Sequence, residues 1–466
     1  MKEKLFFCCA LVLGLIFIFL IPPFDSPDEL THFQNAWAIG HGQAFTAEYW
    51  TDGKLELPSG FAPLMSEYPV RLIGLKNQEK CSWSELFLQS LEYSPTGVMM
   101  PAESRIFSLG YLFSALGMAL GSAAGSAFGI SLLHSPYIQL LLGRFANWIF
   151  FILVVRAALR REQPFRMTLF LLASMPMTLF LAATLSYDAV LIPVSFFLFA
   201  SILSLSEKQP GEIAAPEYVR MALCALFICG IKAPYACLML LFLLLPHGIP
   251  GAARRRKPLF RILILLAALT GLVLASVPYL VPEGGAVGYT AEQRDWLLAH
   301  PLTLPGIILK TLWVDAPSLV ISFWGCFGCL DLHFPRILLL VGWVVLLGAA
   351  VIECCSFPAA ARGRKRFPGL AATILIYCIL CVLQYVSHAP KVNGGIIGGD
   401  QSFGFQGRYL IPCFLPFLLT FANSRLNGKK PGIVPALKGR LTCISVSWGV
   451  ACCLLSAALL LTRYWI

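Results

Sequence analysis

Charge is scarce in this sequence. Only 13% of its 466 residues are Asp, Glu, Lys or Arg, whereas 58% are hydrophobic. The apolar residues gather into blocks of roughly 17 to 25, the length that crosses a bilayer core, so the composition reads as a polytopic membrane protein. No phosphate-cradling Gly-Lys-Ser/Thr loop occurs, which argues against a cytosolic nucleotide-driven engine. No internal repeat is evident. The first block, LFFCCALVLGLIFIFLIP, lacks a small-residue cleavage site and is followed by further spans, so it reads as a retained helix and not as a signal peptide. A disulfide framework is also missing, because most of the 16 cysteines lie inside apolar blocks, where they behave as small hydrophobes. Cys326 and Cys329, as CFGC, are the one pair of note; a lone CxxC signals metal or redox chemistry weakly beside ordinary interfacial packing.

The formal net charge of +11 does not point to nucleic acid. The basic clusters are Arg160-Arg161 to Arg166, Arg254 to Lys257, Arg362 to Arg366, and Arg425 through Arg440. Each is a short connection between apolar blocks, the pattern that sets membrane topology. Read this way, the N-terminus is cytoplasmic and the chain is a single integral membrane domain with about eleven transmembrane helices, all-α throughout. The first helix covers residues 5–21 and a long first extracytoplasmic loop covers 22–136. Transmembrane helices occupy 137–281, a second extracytoplasmic segment 282–333, and C-terminal transmembrane helices 334–466. Within the first loop, residues 105–129 read as a helix lying in or dipping into the outer interface, because counting it as a span would place Arg156 to Arg166 outside. A fifth and a sixth span meet at GIKAPY, where Lys232 and Pro234 mark a break of the kind that often lines a site.

The polar residues of interest collect at outer helix ends. In PPFDSPDELTHF, residues 22–33, Ser26 reads as an N-cap, Pro27 as the first helical residue, and Glu29 as the distal member of a capping box. Asp28 is not needed for that box and shares a helix face with His32, so it is the candidate general base; the alternative is a favourable charge at a helix N-terminus. Asp25, Asp28, Glu29 and His32 together are a candidate divalent-metal set, with spacing that is not diagnostic. Arg408, in Gln406-Gly407-Arg408-Tyr409, is the best candidate for binding an anion at headgroup depth, against snorkelling to the interface. Lys232 and Arg144 are further candidates for phosphate, with Gln406 and Tyr409 beside Arg408. Asp188 either orients one of these cations or caps its helix.

These residues carry a resemblance. PPFDSPDELTHFQNAWAIG, YIQLLLGRFANW, SMPMTLFLAATLSYDAV, GIKAPY, WGCFGCLDLHFP and FQGRYLIP, in that order, resemble the bacterial membrane proteins grouped as domain of unknown function 2142. Where family members often have PDEPAHF this chain has PDELTHF, keeping Asp, Glu and His and losing the proline. The layout in turn resembles the GT-C superfamily of polyprenyl-phosphate-sugar glycosyltransferases. The resemblance implies Asp28 as catalytic base with Asp25 as alternate, Arg408 and Lys232 on the donor phosphate, and Asp188 as a second acid. It implies an inverting transfer from an undecaprenyl-phosphate sugar to a cell-envelope glycan or lipid, in a bacterial cytoplasmic membrane, with no soluble cofactor. A transporter or flippase of envelope precursors and a non-catalytic envelope-assembly protein are the rival readings.

Overall fold

The computed structural model describes residues 12–72, 79–91, 96–102, 105–206, 208, 212–245, 288–355, 366–392, 394–422 and 433–466. Apolar blocks become helices because a chain in lipid must satisfy its backbone groups internally. Among the described residues, seven helices are long and apolar enough to cross a membrane: Leu109–Phe128, Pro136–Arg160, Asp188–Ser206, Pro301–Trp324, Arg336–Cys355, Phe367–Ser387 and Gly439–Tyr464.

Five of these coincide with spans read from the sequence. Residues 109–128, which the charge pattern assigns to the interface, also have the length and hydropathy of a span, as do residues 301–324, which the sequence reading leaves within an outer segment. The remaining spans read from sequence are shorter or broken. Residues 166–184 form two helices, Arg166–Ala173 and Pro176–Ala182, separated where Pro176 opens the second. The fifth and sixth helices meet as expected: Lys232 is extended (φ −154°, ψ 101°) between helix Ala215–Ile231 and the 3₁₀ helix Ala233–Leu244. The block at 407–421 is likewise short. The last part of the 137–281 stretch, a seventh span read at about 259–281, and the start of the first helix lie outside the described residues; helix 1 is seen from residue 12 to 20.

Helix Asp188–Ser206 is the axis of the bundle. It is almost wholly buried, and helices Pro136–Arg160, Ala215–Ile231 and Ile411–Leu418 pack round it. Helix Leu112–Phe128 lies antiparallel along the first half of Pro136–Arg160. Small residues permit the approach: a Cβ on Gly117 would stand 2.5 Å from the Leu142 carbonyl oxygen.

One end of the bundle carries the Arg160-Arg161 turn. The other carries the described residues between 22 and 111, including an antiparallel strand pair, Lys54–Pro58 with Gly97–Pro101. That end is tied to the C-terminal residues. Lys80 Nζ donates to the Thr462 and Arg463 carbonyls at 2.6 and 3.0 Å, and Trp465 Nε1 donates to Leu20 O at 2.8 Å. Trp83 stacks on Trp465 with ring centroids 4.0 Å apart.

Candidate functional site

The motif helix, Glu29–Gly40, begins differently from a capping box. Its N-cap is Asp28, in the left-handed conformation (φ 61°, ψ 13°), and no side chain caps it. Ser26 is buried, and only its backbone carbonyl meets Glu29 N, at 3.0 Å. Pro27 disfavours helical backbone at Ser26, so the turn is made at Asp28 instead. Phe24 is also left-handed (φ 59°). A non-glycine residue there costs on the order of 1 kcal/mol or more, and such strain is characteristic of positions whose side chains are aimed for a purpose.

The turn sends the four polar side chains of the motif in different directions. Asp28 faces outward, its side chain 68% exposed. Glu29 points into the bundle, where Arg144 holds it by Nε to Oε1 at 2.9 Å and Nη2 to Oε2 at 2.6 Å, with both side chains wholly buried. Leu185 N donates to the same Oε1 at 3.2 Å. His32 Nδ1 lies 2.8 Å from the Tyr111 hydroxyl. Burial drives its imidazole down to about 3, against the opposing pull of Asp28, so the ring is neutral near pH 7. Asp25 is buried on another side, against Tyr464, Asp331, Arg463 and Cys329. Burial, reinforced by Asp331 and Glu29 and opposed by Tyr464 and Arg463, pushes its carboxyl up to about 8. The set therefore does not converge on one metal ion, and no group of three or more His, Cys, Asp or Glu side chains does so among the described residues.

Asp28 instead meets residues from distant elements. Arg408 Nη2 lies 3.8 Å from Asp28 Oδ2, and Arg408 Nε lies 4.0 Å from Asp188 Oδ2. Asp188 is the first residue of the axial helix and Arg408 is the second residue of the 3₁₀ helix Gly407–Leu410, and both are buried. The Arg408 side chain is 3% exposed. Its Nε and Nη1 have no acceptor with hydrogen-bonding geometry, although the Tyr409 hydroxyl lies alongside. Buried donors of a guanidinium are ordinarily satisfied, and these two atoms retain the capacity to donate to a further acceptor.

Lys232 completes the group. Its Nζ donates to the Tyr187 hydroxyl at 3.0 Å and lies 4.3 Å from the Tyr409 ring centroid and 4.9 Å from that of Tyr187. Tyr235 fixes the Arg408 segment by donating to Tyr409 O at 2.8 Å. Of the residues read from sequence, Asp28, His32, Asp188, Lys232, Arg408 and Tyr409 thus share one neighbourhood, and Gln406 adjoins it with a buried, unpaired Oε1. Arg144 and Glu29 stand apart as partners of each other, and Asp25 belongs to another cluster. Tyr111, Tyr187 and Tyr235 were not read from the sequence. Their only signal was position, Tyr187 before Asp188 and Tyr235 at the end of GIKAPY.

Cys326 and Cys329 are free thiols, Cys326 Sγ standing 3.3 Å from His333 Nδ1. Burial pushes the Cys326 thiol up to about 11 and that of Cys329 higher still, the opposite of what a redox or metal-binding thiolate needs.

No curated protein matches the chain, and no solved structure does. The family described as predicted membrane protein (DUF2142) matches residues 11–418, and the chain belongs to that family.

Proposed function

We propose that the chain is a membrane glycosyltransferase that moves a sugar from a polyprenyl phosphate, such as undecaprenyl phosphate, to a hydroxyl of a cell-envelope glycan or lipid, at the extracytoplasmic face of a bacterial cytoplasmic membrane. One observation carries the reading: a buried guanidinium, Arg408, keeps two donor atoms without hydrogen-bond acceptors next to an outward-facing carboxylate, Asp28, at 3.8 Å. A phosphate accepts paired hydrogen bonds from such a guanidinium, and Lys232 adds a second positive charge.

The formal charges of Arg408 and Lys232 are matched by those of Asp188 and Asp28. A donor phosphate arriving at Arg408 competes with Asp28 for it, and displacement leaves Asp28 free to act as base. The acceptor oxygen then attacks the anomeric carbon on the face opposite the phosphate, giving its proton to Asp28. The carbon–oxygen bond to phosphate breaks, its electron pair stays on the lipid phosphate, and Arg408 and Lys232 stabilise the growing negative charge. The chemistry is balanced without a soluble cofactor. Neutral His32 holds no charge that would weaken Asp28 as a base.

The test is transfer by the purified protein in lipid nanodiscs, with a panel of polyprenyl-phosphate sugars and envelope acceptors. Asp28→Asn and Arg408→Ala each abolish transfer, by about 10²-fold or more for loss of a base, while both proteins remain folded. Full transfer by both variants removes the mechanism.

A further inference from the structure

Away from this site, the side of the bundle holds a groove whose shape and charge suit a lipid. Helices Pro136–Arg160 and Ala215–Ile231 flank the axial helix, leaving a cleft of about 470 Å³ lined by Phe150, Leu153, Val154, Phe197, Leu223 and Phe227 with smaller neighbours. Its walls are hydrocarbon apart from the Cys224 thiol. Leu153 and Leu223 on its rim are more than half exposed, as are Ile149 and Leu226 alongside. A cleft of this kind on a membrane-spanning bundle has the room and the apolar walls to take a hydrocarbon chain.

The groove runs toward the Arg160-Arg161 end of the bundle and stops at a charged cluster. Arg161 donates to both oxygens of Glu217, at 3.2 and 3.0 Å, and its guanidinium lies 5.4 Å from the centroid of the groove-lining Phe197 ring. Arg220 Nη1 lies 3.1 Å from Glu217 Oε1, and Lys208 is within electrostatic reach of the same carboxylate. Three cations therefore surround one anion where the apolar walls end. Arg161 and Arg220 share the single charge of Glu217, so positive charge is in excess, and half-exposed Arg220 and exposed Lys208 are the cations accessible to a headgroup.

We infer that this groove binds one anionic phospholipid, with an acyl chain between helices Pro136–Arg160 and Ala215–Ile231 and the phosphate at Arg220 and Lys208. A zwitterionic lipid fits the same walls but gains little from the cations, and a helix of a second copy would leave them unused. The site is independent of the glycosyltransferase reading. Arg220 and Lys232 lie near opposite ends of one helix, roughly 18 Å apart along its axis at 1.5 Å per residue.

The experiment reconstitutes the full chain in equimolar phosphatidylglycerol and phosphatidylcholine, extracts it in mild detergent, and counts retained lipids by native mass spectrometry. Wild type retains one phosphatidylglycerol in preference to phosphatidylcholine. Lys208→Gln with Arg220→Gln lowers that preference by about fivefold for each cation removed. Ala157→Phe, which fills the groove from its wall, lowers retention of both lipids; where that variant does not fold, Leu223→Trp on the rim replaces it. Equal retention of the two lipids by wild type overturns the inference, as does an unchanged preference in the charge variant. Disulfide-linked dimers of Leu223→Cys in the bilayer would assign the groove to a second copy and overturn it equally.

Discussion

Arg144 and Glu29 form a fork-to-fork ion pair, and every donor of the guanidinium is engaged. Beyond its two bonds to Glu29, Arg144 Nη1 donates to the Ile18 and Ile21 carbonyls at 3.1 and 2.7 Å, and Nη2 to Pro22 O at 2.9 Å. Ile18 lies in the last turn of the first helix, where carbonyls lack intrahelical donors, and Ile21 and Pro22 follow that turn directly. One side chain thus closes helix 1 and pins the motif helix. With all five N–H groups engaged, Arg144 has nothing left to offer a phosphate.

Removing either partner strands a buried charge, so Arg144→Gln or Glu29→Gln costs about 3–5 kcal/mol. Replacing both together, Arg144→Met with Glu29→Leu, costs less than either single change. Thermal unfolding in detergent reads this directly. If Arg144→Gln melts with wild type but loses only donor affinity, the arginine belongs to the phosphate site after all.

The Asp28–Arg408 contact separates binding from turnover. If a phosphate competes with Asp28 for the guanidinium, Asp28→Asn removes the competitor while removing the base. The expected outcome is a variant that does not transfer sugar yet binds polyprenyl phosphate about two- to fivefold more tightly, the size of an ion pair this exposed on one side. Arg408→Ala loses binding and turnover together. Titration calorimetry with a short-chain polyprenyl phosphate checks both, and weaker binding by Asp28→Asn rules out the displacement step.

Asp25 and His32 give the protein a pH signature with opposite signs. Asp25, held up to about 8, keeps a proton in the folded state that the unfolded chain releases near the ordinary carboxyl value of 3.8. Its contribution is complete below about pH 4 and is lost as pH rises through 8. His32, driven down to about 3, refuses a proton that the unfolded chain takes near 6.5, so its contribution is present above 6.5 and fades as pH falls. Of these two groups only Asp25 acts between roughly pH 6.5 and 8, and it costs wild type about 2 kcal/mol there at ~1.4 kcal/mol per pH unit. Asp25→Asn, the isostere of the neutral acid, removes that loss. Parallel melting curves of the two proteins from pH 6.5 to 8 would falsify the assignment.

Much of the site was legible because membrane composition makes charge conspicuous. Asp28, Asp188, Lys232 and Arg408 each stand at the end of an apolar run, where they are not needed to keep a helix in lipid. Sequence spacing could not show that Glu29 closes on Arg144, far along the chain, and a local capping box explained the same Ser and Glu equally well. The tyrosines were hidden for a related reason: Tyr111, Tyr187 and Tyr235 are ordinary residues for a membrane edge until the fold gathers them round His32 and Lys232. Helix Pro301–Trp324 escaped because Lys310 and Asp315 interrupt its apolar run, and only the structure shows Lys310 leaving that run to pair with Asp400. Asp25 depends on Arg463 and Tyr464, which lie beyond the family match at 11–418.

Gly407 offers the sharpest test that Arg408 works through its fixed position. Its backbone N donates to Ser322 Oγ at 2.7 Å, holding the segment against helix Leu304–Trp324. A Cβ at this position would stand 2.0 Å from the Leu319 carbonyl oxygen and 2.6 Å from Phe323 N. Both are backbone atoms of a helix, which cannot swing aside as a side chain would. Gly407→Ala must therefore push the 407–410 turn outward, taking Arg408 from Asp188. Overpacking of this kind costs about 1–3 kcal/mol, too little to unfold a bundle of this size but enough to misplace a guanidinium. The expected variant keeps wild-type helical content and lipid retention in the lateral groove, yet binds polyprenyl phosphate as poorly as Arg408→Ala. Undiminished phosphate binding by a folded Gly407→Ala would mean that Arg408 need not be held where it stands, and the preformed anion site would lose its basis.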